Sequence, residues 1–196
     1  MEIKKVFSNR NNLINGPLEI IPKLFRDERG YFFESFNQNK FNEVLNSKIV
    51  FVQDNQSKSS KNVLRGLHYQ ISPFAQGKLV RVIKGVIYDV IVDLRKNSTT
   101  FGEWAGIELN DNKQNQYWIP TGFAHGFITI SDEAIVLYKT TNYWSSVHEK
   151  SLLWSDKHIK INWQQAKYNI GKPIISEKDK LGLSFEELNN KGDFFL

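Results

Sequence analysis

The chain has 196 residues, 40% hydrophobic and 24% charged, with a formal net charge of +5 and no cysteine. That length suits one domain with a substantial core, and the missing cysteine excludes disulfides, zinc–cysteine sites and thiol nucleophiles. A mean hydropathy of −0.43 leaves no apolar run for a membrane helix, and the opening residues MEIKKVFSNR lack a signal peptide's apolar centre, so the expectation is a soluble cytoplasmic protein with no membrane partner.

Strand signals dominate in chain order. Leu18 to Phe25 is apolar and extended, and Asp27-Glu28-Arg29-Gly30 reads as a turn before Tyr31 to Phe36. Asn37 to Ser47 has the apolar spacing of a short helix, with Phe41, Val44 and Leu45 on one face. From Ile49 onward a β pattern takes over. Lys78 to Ile83 alternates, Lys84-Gly85 makes a tight connection, and Val86 to Leu94 presents Val86, Tyr88, Val90, Val92 and Leu94 opposite Ile87, Asp89, Ile91 and Asp93. Further strands are predicted at Trp104 to Leu109, Gln116 to Ile119, Ala124 to Ile130 and Ala134 to Thr141, and a helix over Lys178 to Leu188. Many short strands with close turns and no linker or repeat indicate one all-β domain, an antiparallel barrel or sandwich with small helices at both ends.

Charge is unevenly spread. Between Asp54 and Asp89 lie Lys58, Lys61, Arg65, Lys78, Arg81 and Lys84 with no acid among them. Such a field attracts an anion, either nucleic acid or a phosphorylated small molecule. The cations sit singly among apolar residues and no nucleic-acid motif is present, which favours the small molecule; a plain solvated basic face is the alternative.

Of four histidines, His68 and His125 are embedded in apolar strand sequence, whereas His148 and His158 are not. Each alone reads most simply as a satisfied core histidine; two beside a cationic strand point to a site. A barrel metal centre would call for converging His and Glu ligands, and neither a His-x-His pair nor a nearby downstream carboxylate accompanies them, so no metal is expected. Acid–base work or anion contact suits them better. Arg65 and His68 are three positions apart, which puts them on opposite faces of a regular strand, but Gly66 between them permits a bulge that would bring both into one cavity. Lys78 shares strand parity with Val80 and Val82, and an inward lysine calls for an anionic partner, such as a substrate oxyanion.

Seven ordered motifs then carry a resemblance. They are Asp27-x-Arg29-Gly30-x-Phe32-x-Glu34, Phe51-Val52-Gln53-Asp54-Asn55-x-Ser57, Leu64-Arg65-Gly66-Leu67-His68-Tyr69-Gln70, Gln76-Gly77-Lys78-Leu79-Val80-Arg81, Pro120-x-Gly122-Phe123-Ala124-His125-Gly126-Phe127, Tyr138-Lys139-x-Thr141-x-Tyr143 and Ser176-x-Lys178-Asp179. From about Leu18 to Asp179 the chain resembles the dTDP-4-dehydrorhamnose 3,5-epimerase family, metal-independent cupin-fold enzymes of nucleotide-sugar biosynthesis. The resemblance implies a cupin-like jelly roll over residues 1–196. Residues 1–48 would lie in a homodimer interface, 49–145 would form the barrel core, and 146–196 would reach the site. It implies His68 as catalytic base, Asp179 as its acid partner, Tyr138 as general acid, and Lys78, with His125 nearby, at the enolate oxygen. Arg65, Gln53 and Asn55 match contacts to the diphosphate and sugar. Arg29 and Glu34 match nucleotide contacts made in the neighbouring subunit's site, and Glu149 matches a further ligand contact. The thymine-stacking aromatic falls at Trp144, where the family more often has tyrosine; the exchange keeps a stacking face. The implied activity needs no cofactor and no nucleic acid. A 3-epimerase, a 3,4-ketoisomerase or a non-catalytic nucleotide-sugar barrel would share much of this pattern.

Overall fold

Alternating residues that bury one face per strand give two facing antiparallel sheets. In the computed structural model, which describes residues 1–163, 168 and 170–196, the chain begins with β1 (Glu2–Phe7), β2 (Leu13–Ile21), β3 (Phe25–Asp27), β4 (Gly30–Phe32) and α1 (Gln38–Leu45). The strands β5 (Gln53–Ser60), β6 (Val63–Gln70), β7 (Lys78–Lys84), β8 (Val86–Asp93) and β9 (Trp104–Asn110) follow. Then come β10 (Gln116–Ile119), β11 (Phe123–Thr129), β12 (Glu133–Thr140), β13 (Glu149–Ser151), β14 (Ile174–Ile175), α2 (Glu177–Lys180) and α3 (Phe185–Lys191).

One sheet has the order β1-β2-β10-β7-β12-β5, and the other β13-β6-β11-β8-β9, with β14 added parallel to the start of β6. The chain changes sheet at Gly85, between β7 and β8. Its φ is +85°, and a Cβ there would collide with the Glu133 carbonyl oxygen, so glycine is required at this corner. The two inner faces pack Val80, Val82, Tyr117, Ile119 and Val136 against Ile87, Ile91, Leu109, Phe123 and Phe127. Each fully buried aliphatic chain of this kind contributes about 1.5–3 kcal/mol.

Both outer faces are covered too. α1, capped by Asn37, lays Phe41 on Ile20, Leu79 and Trp118 of the first sheet. The C-terminal segment covers the second sheet with Leu152, Ile159, Trp163, Phe185, Leu188 and Phe194, and these meet Tyr88, Val90 and Val92. This coverage accounts for the apolar character of both faces of β8. It also carries the chain's last third back to β6.

Several sequence expectations change in detail. The first sheet begins earlier than Leu18, since β1 and the start of β2 pair as its edge. Of Tyr31 to Phe36 only the beginning is strand, paired in the β3–β4 hairpin around the expected turn. The helix predicted over Lys178 to Leu188 is two short helices. Gly182 lies between them, where a Cβ would come within 3.0 Å of the Leu153 backbone, and Ser184 starts α3 afresh with a capping box to Glu187.

Candidate active site

Arg65 and His68 enter one cavity because β6 carries an extra residue. Arg65 lies opposite Phe127 and His68 opposite His125, so three steps along β6 match two along β11. The bulge resets side-chain parity. Gly66 makes it possible. Its φ is +125°, and a Cβ there would lie 2.5 Å from Gly126 Cα and 2.8 Å from the His125 carbonyl oxygen. The Gly66 N–H donates to Asp179 Oδ2 at 3.3 Å.

That carboxylate comes from far along the chain. β14 pairs with the beginning of β6, and the turn into α2 is capped by Ser176, whose hydroxyl accepts from the Asp179 N–H at 3.1 Å. Asp179 is thereby buried with Oδ1 2.6 Å from His68 Nε2. An aspartate that accepts from Nε2–H leaves Nδ1 as the basic atom. Burial pushes the Asp179 carboxyl up, but the hydrogen bond and charge of His68, with Gly66 and Ser176, outweigh it and hold the group below its usual value.

The facing sheet supplies the other chemistry. Lys78 pairs with Thr140 and Tyr138 with Val80, so both point to the interior, with Asn55 beside Tyr138 and Gln53 beside Thr140. Lys78 is 8% exposed, and its Nζ donates to the His68 carbonyl oxygen at 3.2 Å. Burial pulls its pKa down to about 8 against the opposing charges of Asp89 and Glu149. Burial also raises Tyr138, with Glu149 adding to the shift and Arg65 opposing it, so the phenol keeps its proton at neutral pH. His125 is buried with Nε2 2.9 and 3.0 Å from the two Asp89 oxygens.

These groups line one cavity of about 570 Å³, together with Gln53, Asn55, Arg65, Trp144 and Glu149. The size and the mixed polar lining suit a polar small molecule of drug-like bulk. Arg65 is held by Ser59 Oγ at 2.9 Å and the Lys58 carbonyl oxygen at 3.1 Å. At the rim Trp144 is 59% exposed. Its backbone N–H donates to Gln53 Oε1 at 3.1 Å, and its indole N–H donates to Glu149 Oε2 at 3.2 Å. Lys178 Nζ reaches the same Glu149 oxygen at 2.6 Å. Burial raises Glu149, but Lys178 and Trp144 together bring it below its usual value.

Ten of the twelve expected site residues therefore line this cavity, and two do not. Arg29 is exposed on the β3–β4 hairpin and paired with Asp27, and Glu34 is paired with Lys40 at 2.8 Å. The cationic stretch is not one field. Glu133 on β12 takes both Lys58 at 2.8 Å and Lys84 at 2.6 Å, and Lys61 lies 3.9 Å from Asp132, so neighbouring acids offset charges that look unopposed in sequence. Arg65 and Lys78 remain to charge the cavity. His158 stacks on Phe185 at 5.0 Å, and His148 packs on Phe74. Among the described residues no three His, Cys, Asp or Glu side chains group as metal ligands.

Two further residues escaped sequence reasoning. Asp89 is completely buried and serves His125; the available signal was a carboxylate in the middle of an apolar strand, on the face it shares with Ile87 and Ile91. Gln70, also buried, donates to the Phe74 and Tyr143 carbonyl oxygens and accepts from the Ser145 N–H at 2.6 Å, which fixes the loop that carries Trp144.

Comparisons with known proteins agree with this architecture. The dTDP-4-dehydrorhamnose 3,5-epimerase of Shigella flexneri is 52% identical over 175 residues, which is 89% of this chain and 92% of that protein. A crystal structure of dTDP-6-deoxy-D-glucose-3,5-epimerase from Legionella pneumophila, in complex with dTDP-4-keto-L-rhamnose, superposes with a TM-score of 0.87 at 39% identity, covering 99% of this chain and 98% of that one. The Mycobacterium tuberculosis epimerase superposes with a TM-score of 0.92 at 30% identity, covering 100% and 94%. The family model described as dTDP-4-dehydrorhamnose 3,5-epimerase matches residues 11–187, and with that extent and those identities the chain belongs to the dTDP-4-dehydrorhamnose 3,5-epimerase family.

Proposed function

We propose that this protein inverts C3 and C5 of dTDP-4-dehydro-6-deoxy-D-glucose to give dTDP-4-dehydro-L-rhamnose, a step of dTDP-L-rhamnose biosynthesis. The observation that carries the reading is the distribution of His68 and Tyr138 between two facing sheets of one cavity, with buried Lys78 beside them. Both sugar carbons are alpha to the C4 carbonyl, so each proton is acidified by the oxygen that takes the resulting charge. His68 Nδ1 removes the proton, and Asp179 stabilises the imidazolium. The C4 oxygen becomes an enolate, which the Lys78 ammonium stabilises in a water-poor interior. The Tyr138 hydroxyl delivers a proton to the opposite face, and solvent restores the phenol. Protons alone are exchanged, so no redox partner enters the balance.

Arg65, Gln53 and Asn55 hold the diphosphate and sugar in this reading, Trp144 stacks on the base, and Glu149 borders it. Arg29 and Glu34 act in the site of a second copy. The exposed β3–β4 hairpin, with Phe25 and Phe32 bared, supports a homodimer that presents them there. The family's sugar-nucleotide chemistry supports a cytoplasmic enzyme.

The test is to incubate the protein with the 4-keto sugar nucleotide in heavy water and follow C3 and C5 by NMR. Wild type should incorporate deuterium and form the L-rhamno product. Tyr138→Phe should incorporate deuterium into recovered substrate faster than it forms product, because His68 can still remove and return a proton on one face. No exchange by wild type, or undiminished inversion by Tyr138→Phe, would overturn the assignment.

A further inference from the structure

Asp89 is a carboxylate in the centre of the molecule, with no solvent exposure. The reaction proposed above gives it no task. A buried carboxylate without compensation is among the costlier features a fold can carry, so its partners indicate its purpose. Its hydrogen-bond partner is His125. β8 pairs with β11 so that His125 faces Ile91, and Asp89 lies two residues along on the same inner face, with both oxygens reaching Nε2. His125 is itself directly opposite His68 on β6. Lys78 enters the same cavity from the facing sheet.

We infer that Asp89 is a positioning residue that keeps His125 in its Nε2–H tautomer and serves as the built-in counter-charge that lets buried Lys78 stay an ammonium until substrate arrives. The inference rests on the proposed reaction for its consequence, but its geometry is independent of it. One ring nitrogen donating to a carboxylate leaves the other as an acceptor. His125 therefore presents Nδ1 as a lone pair, suited to a sugar hydroxyl, and does not itself donate to an enolate. That task falls to Lys78. A lone inward lysine would be neutral or excluded, and Asp89 supplies the negative charge that a sequence argument assigns to substrate.

The electrostatics of the cluster agree. Burial pushes Asp89 up, and the groups that oppose the push are His125 and Lys78, the same two it is inferred to serve. Burial pushes His125 down, against Asp89 and in the same sense as the charges of Lys78 and His68, so the ring stays neutral. Glu149 also faces Lys78, and the buried Tyr117 hydroxyl lies within electrostatic reach of Asp89.

The experiment has a substrate-free arm and a kinetic arm. Nitrogen-15 NMR of histidine-labelled wild type should show His125 neutral with its proton on Nε2, and a proton on Nδ1 would overturn the inference. In Asp89→Asn, which removes the charge and keeps the shape, the Lys78 side-chain titration followed by NMR should move to lower pH. Turnover should fall about 10–100-fold, the usual cost of losing a group that orients another, with dTDP affinity within about twofold of wild type. An unmoved Lys78 titration or an unchanged kcat would overturn it. If Asp89→Asn does not fold, the wild-type tautomer alone decides. Failure of wild type to act on the 4-keto sugar would strike the proposed reaction and leave both NMR readings standing.

Discussion

Two histidines line the cavity, each paired with an aspartate, and the two pairs are built in opposite ways. Asp89 reaches His125 from the adjacent strand, and both side chains are buried. Asp179 reaches His68 from a helix 111 positions downstream, and the imidazole it holds remains 28% exposed. Burial drives His125 down and leaves it a fixed, neutral member of the wall. The more open ring is the one with room to meet a substrate and to change its protonation. The contrast teaches that hydrogen bonding to aspartate does not make a histidine a base; access to the cavity does.

Three measurements test that contrast. Asp179→Asn removes the charge behind the open ring, so turnover should fall by about 10²–10⁴-fold, the span of a general base's contribution, with dTDP binding intact. Steady-state kinetics with calorimetric dTDP titration will tell, and a near-wild-type rate would leave the two pairs without functional distinction.

Arg65 stands beside the open pair across the Gly66 bulge and takes no part in either histidine's hydrogen bonds. Arg65→Ala should weaken dTDP binding by about 1.5–3 kcal/mol, the range for a hydrogen bond to a charged group. Unchanged affinity would return Arg65 to a structural role on Ser59 and Lys58.

The third measurement concerns Lys78, which lies between the pairs. Its pKa is lowered to about 8 from 10.5. Above pH 8 the folded protein loses the ammonium, so kcat/KM should fall about tenfold per unit in that limb. Stability should move the other way. Between about pH 8 and 10.5 the unfolded chain still holds a proton that the folded chain has released, so this group's contribution rises with pH across that window. Denaturant titrations beside the rate profile will show whether the two slopes oppose each other. Parallel slopes would assign the limb to another group.

Much of this is legible in the sequence. Period-two alternation marks β7 and β8 within a residue or so, because a strand between two layers must bury what it points inward. Gly66 between Arg65 and His68 permits the bulge that β6 makes there, and the apolar spacing from Asn37 to Ser47 matches α1. Ten of the residues singled out through the family resemblance do line the cavity.

What remained hidden was what depends on partners distant in the chain. The six cations between Asp54 and Asp89 read as one field because Glu133 and Asp132, which neutralise three of them, arrive only when β12 crosses between β5 and β7. β1 has little apolar pattern of its own, and its strand form follows from pairing with β2. Asp89 looked like one polar residue in an apolar run until β11 brought His125 to it. Local spacing sets which way a side chain points; charge balance, hydrogen-bond completion and burial are properties of what the other elements bring against it, and only the packed fold decides those.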